Sequence, residues 1–461
     1  MFHPKTYILR REDLKKKIDT GVLLFLGNEE SPMNYPDNGY HFRQDSSFLY
    51  YFGLDFPGLA AIIDIDENRE IIFGNELTID DIVWMGTQPT LAEKGRSVGI
   101  EITAPVSDLS VYLRKAAANG RPVHFLPPYR ADNKIRLWTL LDILPADQAG
   151  KASAEMIRAV VSQRSYKSEE EIAEIEAAVD GSVKMHLAAM KMARPGMKEL
   201  ELAAEIQRIA VASGGQLAFP IICTVNGQTL HNHYHGNILK SGDMVLCDAG
   251  AESPFHYAGD LSSTFPVDSS FSPRQREIYQ IQLNAYHAAI DALRPGVSNM
   301  DVHLLACRTL SRGLKEIGLM KGDIDEAVRQ GAHAMFFPCG TGHMMGLDVH
   351  DMEDLGEQYV GYDERPRSTQ FGLKSLRLAR PLEPGFVITI EPGIYFIPEL
   401  IDRWKAEKKF IDFIDYDVLE SYRNFGGLRN EEDFLITADG ARRLGPPKPV
   451  SIEEIETLRR G

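Results

Sequence analysis

The chain of 461 residues has no apolar run approaching the ~18 residues that a membrane-spanning helix needs. Its opening stretch, MFHPKTYILRREDLKKK, is polar and charged and has no apolar core of an export signal. Cysteine is scarce. The four thiols, Cys223, Cys247, Cys307 and Cys339, are scattered and form no CxxC pair. That argues against a cysteine-rich zinc module or a disulfide framework, and predicts free thiols in a reducing cytoplasm. Positive charge is also short, with 50 Lys and Arg against 66 Asp and Glu for a net charge of −16. No basic cluster dominates, so neither a nucleic-acid surface nor a membrane-binding patch is expected. Low-complexity tracts are missing too. What remains is ordinary for a globular protein, 44% hydrophobic and 25% charged, and long enough for two domains.

The first third reads as alternating strands and helices. Residues 22–26 and 60–65 have the pattern of buried strands, and 107–118 that of a helix. A boundary falls near 163–167, giving domains over 1–163 and 168–461. Just past it, Ser168-Glu169-Glu170-Glu171 is a capping box. Ile172, Ile175, Val179, Val183, Leu187 and Met190 then recur at helical spacing up to Arg194-Pro195-Gly196. A second Arg-Pro-Gly stands at 294–296, inside a similar helix-turn-helix pattern. SGDMVLCDAG (241–250) and PGFVITIEPG (384–393) also echo each other, with six positions from Gly242 to Asp248 and six from Gly385 to Glu391. A duplicated α/β unit would put two carboxylates at equivalent strand ends; chance similarity of short strands is the alternative. The charged stretch 399–423 is expected to be a solvated, partly helical excursion.

Asp248 ends the apolar run 244–247, where a carboxylate is costly unless paired, hydrogen-bonded or metal-bound. Asp260 follows in GDLSSTF, and a short hairpin would set the two side by side. Adjacent carboxylates repel, and a divalent cation between them removes that penalty. His343 follows the glycine-rich Gly340-Thr341-Gly342, Glu391 ends the run 387–390, and Glu431 stands in GGLRNEEDFLI. Singly, each is more often a structural residue; together, at apolar strand ends, they form a candidate ligand set. Four carboxylates and one imidazole suit Mn²⁺ or Mg²⁺, with Co²⁺, Fe²⁺ or Zn²⁺ as substitutes. Asp248 and Glu431 are candidate bridges between two ions ~3–4 Å apart.

These motifs, CDAG with GDLSSTFPV, then GTGHMMGLDVHD, then TIEPGIY, resemble the pita-bread metallopeptidases. The likeness is to the proline-specific branch of aminopeptidase P and prolidase. It runs from HFRQDSSFLYYFG (41–53) to GGLRNEEDFLIT (426–437). It implies an α/β (α+β) chain in which a pita-bread catalytic domain follows a smaller α/β N-terminal domain. It further implies two divalent metals, Mn²⁺ first, on Asp248, Asp260, His343, Glu391 and Glu431. The substrates would be proline-containing peptides or Xaa-Pro dipeptides. His231 resembles the substrate-side histidine, with His233 and His235 as neighbouring alternatives. His350 and Arg429 match a histidine and an arginine beside the ligands, and Tyr395 is a candidate pocket wall, with packing an equally good explanation of it. Glu391 doubles as proton shuttle. Trp84 resembles an aromatic placed against a neighbouring subunit, so a homodimer or larger homo-oligomer is expected.

One position departs from the pattern. Relatives commonly carry histidine four residues before the metal-binding histidine, where this chain has Cys339. GLKSLRLAR (372–380) resembles a prolidase segment whose arginine holds a dipeptide carboxylate, which makes Arg377 a candidate for that task. Longer-substrate aminopeptidases carry inserts here as well, so substrate length stays open. The rival reading is a catalytically weakened pita-bread protein that binds peptides or partners. It requires lost ligands, and all five are present.

Overall fold

A computed structural model describes residues 1–460. They divide into two compact units, one of residues 1–164 with 352–359, the other of residues 165–351 with 360 onward.

The first unit is built on a mixed five-stranded sheet in the order β4-β3-β2-β1-β5. Its strands are β1 (Val22–Leu26), β2 (Ala60–Asp64), β3 (Arg69–Phe73), β4 (Ile102–Ala104) and β5 (Val123–Phe125). β1, β2 and β3 pair antiparallel, while β4 and β5 join the two edges in parallel. Alternation sends Val22, Leu24, Ala60, Ile62, Ile71 and Phe73 to one face, where Leu109, Leu113 and Leu137 of two helices cover them. The opposite face receives the helix Ser46–Phe52 of the HFRQDSSF motif, whose seven residues are all buried. Asp45 caps that helix by accepting from the Phe48 N–H at 2.8 Å, and Gly53 ends it at φ +61°. The helix expected over 107–118 spans Val106–Ala118, and the strand expected over 60–65 stops at Asp64.

The second unit is a duplication. The Ser168 capping box starts a helix over Glu169–Met192, and a matching box on Ser272 starts one over Pro273–Asp291. Each runs into its Arg-Pro-Gly turn, with Gly196 at φ +93° and Gly296 at +84°, and then into a second helix, Glu199–Ala212 or Asn299–Glu316. The Gly196 N–H donates to the Leu239 carbonyl at 2.9 Å, and the Gly296 N–H to the Leu382 carbonyl at 2.8 Å. Gly242 and Gly385, at φ +91° and +94°, open the two echoed segments. So the repeat extends over helices, turns and strands, and chance similarity of two short strands does not account for it.

The strands of this unit are β6 (Ile222–Thr224), β7 (Met244–Asp248), β8 (Ser262–Pro266), β9 (Val387–Ile390), β10 (Gly393–Tyr395), β11 (Gly427–Arg429), β12 (Glu432–Ile436) and β13 (Ala441–Arg443). β6-β7-β8 and β13-β12-β9 form two antiparallel three-stranded sheets, and β10 pairs with β11. The halves are joined where the Glu431 N–H donates to the Ser262 carbonyl at 3.0 Å and the Thr264 hydroxyl brackets the Arg429 backbone. Helices hold the strand ends from behind. His186 bridges Ser263 and the Ala249 carbonyl, while Gln282 bridges the Pro392 carbonyl and Asn430. The stretch 399–423 contains helices Pro398–Ala406 and Tyr416–Glu420, and it is less solvated than its charge implies because Ile401, Trp404 and Leu419 are buried.

Candidate metal centre

β7 delivers Asp248 at its last position, and Asp260 lies in the connection that returns the chain to β8. Its backbone N–H donates to Asp433 at 3.0 Å, which fixes the return. His343 runs beside β9, since its N–H donates to the Thr389 hydroxyl and its carbonyl accepts the Thr389 N–H. Gly342 is needed here because a Cβ would stand 2.0 Å from the Thr389 carbonyl oxygen. Glu391 leaves β9 with its N–H donating to the Thr341 carbonyl at 2.7 Å, and Glu431 links β11 to β12.

Four elements therefore converge on one cavity of about 600 Å³. Asp248, Asp260, His343, Glu391 and Glu431 all line it, as do His231, His350, Arg377, Arg429 and Cys339. His343 Nε2 lies 3.4 Å from an Asp260 oxygen and 3.7 Å from a Glu391 oxygen. Its Nδ1 faces the Met344 carbonyl at 3.0 Å, which places the proton there and leaves Nε2 a lone pair toward the carboxylates. Asp260, His343 and Glu431 offer atoms all within 4.8 Å of one another. Asp260 Oδ1 and Glu431 Oε1 are buried and have no hydrogen-bond partner. Uncompensated buried carboxylate oxygens are costly, and a cation is the partner this geometry fits.

Electrostatics agree. Burial, reinforced by neighbouring carboxylates, pushes the Asp260 and Glu431 carboxyls well above their usual range and raises Glu391. Arg429 is the counterweight. Burial opposes its charge, but Tyr395, Asp248, Glu391 and Glu431 hold it cationic. Its guanidinium donates to Asp248, to the Ser262 hydroxyl at 2.9 Å and to the Tyr395 hydroxyl at 2.6 Å. Ser262 passes the contact on by donating to Glu431 at 2.8 Å.

His350 is half-buried, with its ring edge-on to His343 at 4.4 Å between centroids. His231 is an exposed rim residue, and desolvation and Arg429 disfavour its cationic form. His233 lines the cavity as well, and both His233 and His235 face the Ile221 carbonyl, at 3.4 and 3.1 Å. Tyr395 needs correcting. It is fully buried and stands behind Arg429, so it positions the guanidinium and does not wall the cavity. Cys339 reaches only toward the Tyr395 hydroxyl at 4.0 Å, and burial beside Glu391 pushes its thiol up to about 12. It is neutral, and a thiol has no cationic form. Ser262 and Asp433 were not foreseen as supports of the ligands. Both lie in the quoted motifs, but nothing in spacing tells a hydroxyl or a second carboxylate which ligand it will touch.

A cavity floored by carboxylates and one imidazole, at the seam of two duplicated α/β halves, defines a metallohydrolase. The chain belongs to metallopeptidase family M24, whose model matches residues 173–438, while the aminopeptidase P N-terminal domain model matches residues 7–124. The Xaa-Pro dipeptidase of Homo sapiens is 30% identical over 457 residues, covering 95% of this chain and 89% of that protein. The Xaa-Pro aminopeptidase of Escherichia coli K12 is 30% identical over 467 residues, covering 97% and 96%. Among solved structures, proline aminopeptidase P II from Yersinia pestis superposes with a TM-score of 0.83 at 30% identity over 100% of both chains. A zinc-substituted E. coli aminopeptidase P in complex with product superposes at 0.82 and 29% identity, covering 100% of this chain and 98% of that one. The pita-bread fold and the N-terminal α/β domain expected from the motifs are those of this family. Among the described residues no helix is long and apolar enough to cross a membrane.

Proposed function

We propose that this chain is a metal-dependent exopeptidase that hydrolyses the bond between an N-terminal residue and the proline after it, in peptides or in Xaa-Pro dipeptides. The observation that carries the reading is the pair of unpartnered buried oxygens, Asp260 Oδ1 and Glu431 Oε1, on two residues whose carboxylates lie with the His343 imidazole in one group of ligand atoms within 4.8 Å of one another. In this reading Asp248, Asp260, His343, Glu391 and Glu431 hold two divalent ions. The oxygen-rich set favours Mn²⁺, with Co²⁺, Zn²⁺, Fe²⁺ or Mg²⁺ as substitutes. When bound, the ions supply Lewis acidity and make water a nucleophile at neutral pH.

The protein's own groups do the rest. Glu391, whose carboxyl burial raises, takes the proton of the attacking water and delivers it to the prolyl nitrogen as the C–N bond breaks. His350 and His231, on the cavity wall, donate to the oxyanion of the tetrahedral intermediate. Arg429 holds Asp248 directly and Glu431 through Ser262, so both carboxylates keep their aim during turnover. Proline is chosen by shape, since its nitrogen carries no N–H and its ring is fixed. Phe219, Pro220, Leu230 and Phe371 supply apolar wall for it, with His231 and His350. Arg377, which lines the cavity, is the candidate for the free carboxylate of a dipeptide.

The same reading assigns residues 1–163 to the N-terminal aminopeptidase P-like domain and 168–461 to the catalytic domain, supported by the two family matches. It makes the protein a cytoplasmic homo-oligomer in which Trp84 meets a neighbouring subunit. Replacing Glu391 with Ala tests the chemistry. Turnover of an Xaa-Pro peptide should fall by on the order of 10³-fold or more with excess Mn²⁺ present, and near-normal activity would overturn the assignment.

A further inference from the structure

Behind the catalytic loop lies a second group of ligating side chains that the hydrolytic site does not use. His303 and Cys307 stand one turn apart on the helix Asn299–Glu316, and His333 faces them from the short helical turn Ala332–Met335. All three are fully buried, and one ligand atom from each lies within 4.8 Å of the other two. His303 Nδ1 meets the Thr341 hydroxyl at 2.7 Å, and Nε2 meets the Cys307 sulfur at 3.4 Å. The Nδ1 proton can be donated to Thr341, so Nε2 presents its lone pair toward the sulfur. His333 is the informative member. Neither of its ring nitrogens closes a hydrogen bond of good geometry, although the Val328 carbonyl faces it. A neutral Cys–His contact would account for His303 and Cys307, but it leaves the buried His333 with no hydrogen bond of good geometry, which is costly.

We propose that His303, Cys307 and His333 form a separate buried site for one thiophilic d¹⁰ cation, Zn²⁺ or Cu⁺. Ligands sharing a zinc at 2.0–2.3 Å stand roughly 3.3–3.6 Å apart. The His303–Cys307 separation of 3.4 Å already matches, and His333 stands within 4.8 Å of both, close enough to complete the set. One thiolate with two imidazoles is softer than the carboxylate set in the cavity, so the two sites sort their ions by chemistry. Binding releases one proton, from the Cys307 thiol, to solvent. Burial holds both imidazoles neutral and ready to ligate, with His303 pushed down to about 3 and His333 to about 4. Thr341 plays the outer-shell part that orients a ligating histidine. Its backbone carbonyl also accepts the Glu391 N–H, so the ion would brace the Gly340–Gly342 loop from behind.

Because the site is sealed, it must load as the chain folds. The full-length protein is therefore produced with zinc and trace copper in the medium and then dialysed against a chelator until the carboxylate site is empty. We expect one zinc or copper per chain to survive by elemental mass spectrometry. Protein produced with cobalt should show a thiolate-to-cobalt charge-transfer band. The band should persist in Cys339→Ala, whose thiol lines the other cavity, and vanish in Cys307→Ser, with its fold verified by circular dichroism. No retained soft metal and no such band in the unmodified protein would overturn the site without recourse to any variant. So would a band that survives in Cys307→Ser.

Discussion

At the residue scale, the centre depends on carboxylates that cannot all be charged without a cation. Asp260, Glu391 and Glu431 have folded-state pKa values raised by burial above the ~4 of the unfolded chain. As pH rises through that unfolded value toward the folded ones, the unfolded chain gives up its protons first, so the metal-free protein loses stability. A bound cation removes the penalty. The melting-temperature gap between Mn²⁺-loaded and stripped protein should widen from about pH 5 to about pH 7.5, and Mn²⁺ binding should release protons in calorimetry across buffers. A gap that does not change with pH would contradict the raised carboxyls. Arg377 bears on substrate length. If it holds a dipeptide carboxylate, Arg377→Ala should cut kcat/KM for Ala-Pro by ~10–100-fold, the worth of a charge-assisted hydrogen bond, and leave Ala-Pro-Ala within about twofold. Equal losses on both substrates would remove it from that role.

At the scale of elements, the candidate ligands are only as well placed as the strands that carry them. The segment holding His343 lies against β9 with no room for a side chain at Gly342, where a Cβ would meet the Thr389 carbonyl oxygen. Gly342→Ala should therefore cost about 1–3 kcal/mol in denaturant unfolding and weaken Mn²⁺ binding by about tenfold or more. Gly440→Ala, at a position where a Cβ meets nothing within 4 Å, serves as the control and should do neither. The duplicated frame explains why two halves reach one site. Each presents a strand behind a left-handed glycine, Gly242 or Gly385; β7 ends in Asp248, and β9 is followed at once by Glu391. The halves differ in how that end is held, by His186 in the first and Gln282 in the second.

At the scale of the whole molecule, one surface is left to explain. The helix Ile79–Met85 in the first unit exposes Ile79, Val83, Trp84 and Met85, with Trp84 at 87% of its full exposure. Four large apolar side chains on one short helix are more than scattered surface residues, and they fit the contact between subunits proposed above. Trp84→Glu should shift the light-scattering mass toward the monomer with little change in the melting temperature. A mass that stays put would remove this helix from the interface. Much of this protein was legible in its sequence, because covalent spacing carries the information. The Gly-to-carboxylate interval marked equivalent strand ends, the Ser168 box marked the helix start, and the ordered motifs carried the family. Local pattern missed what depends on contacts across long stretches of chain. Tyr395 read as a pocket wall and proved to be the brace of Arg429, and Ser262 and Asp433 carried no signal until β8 and β12 met. The His303, Cys307 and His333 group was equally hidden, since only the helix periodicity and the return of the chain at Ala332 bring those atoms together. Sequence determined which residues could ligate. Tertiary structure decided which of them lost their water without gaining a protein partner, and that is what makes a buried polar atom seek an ion.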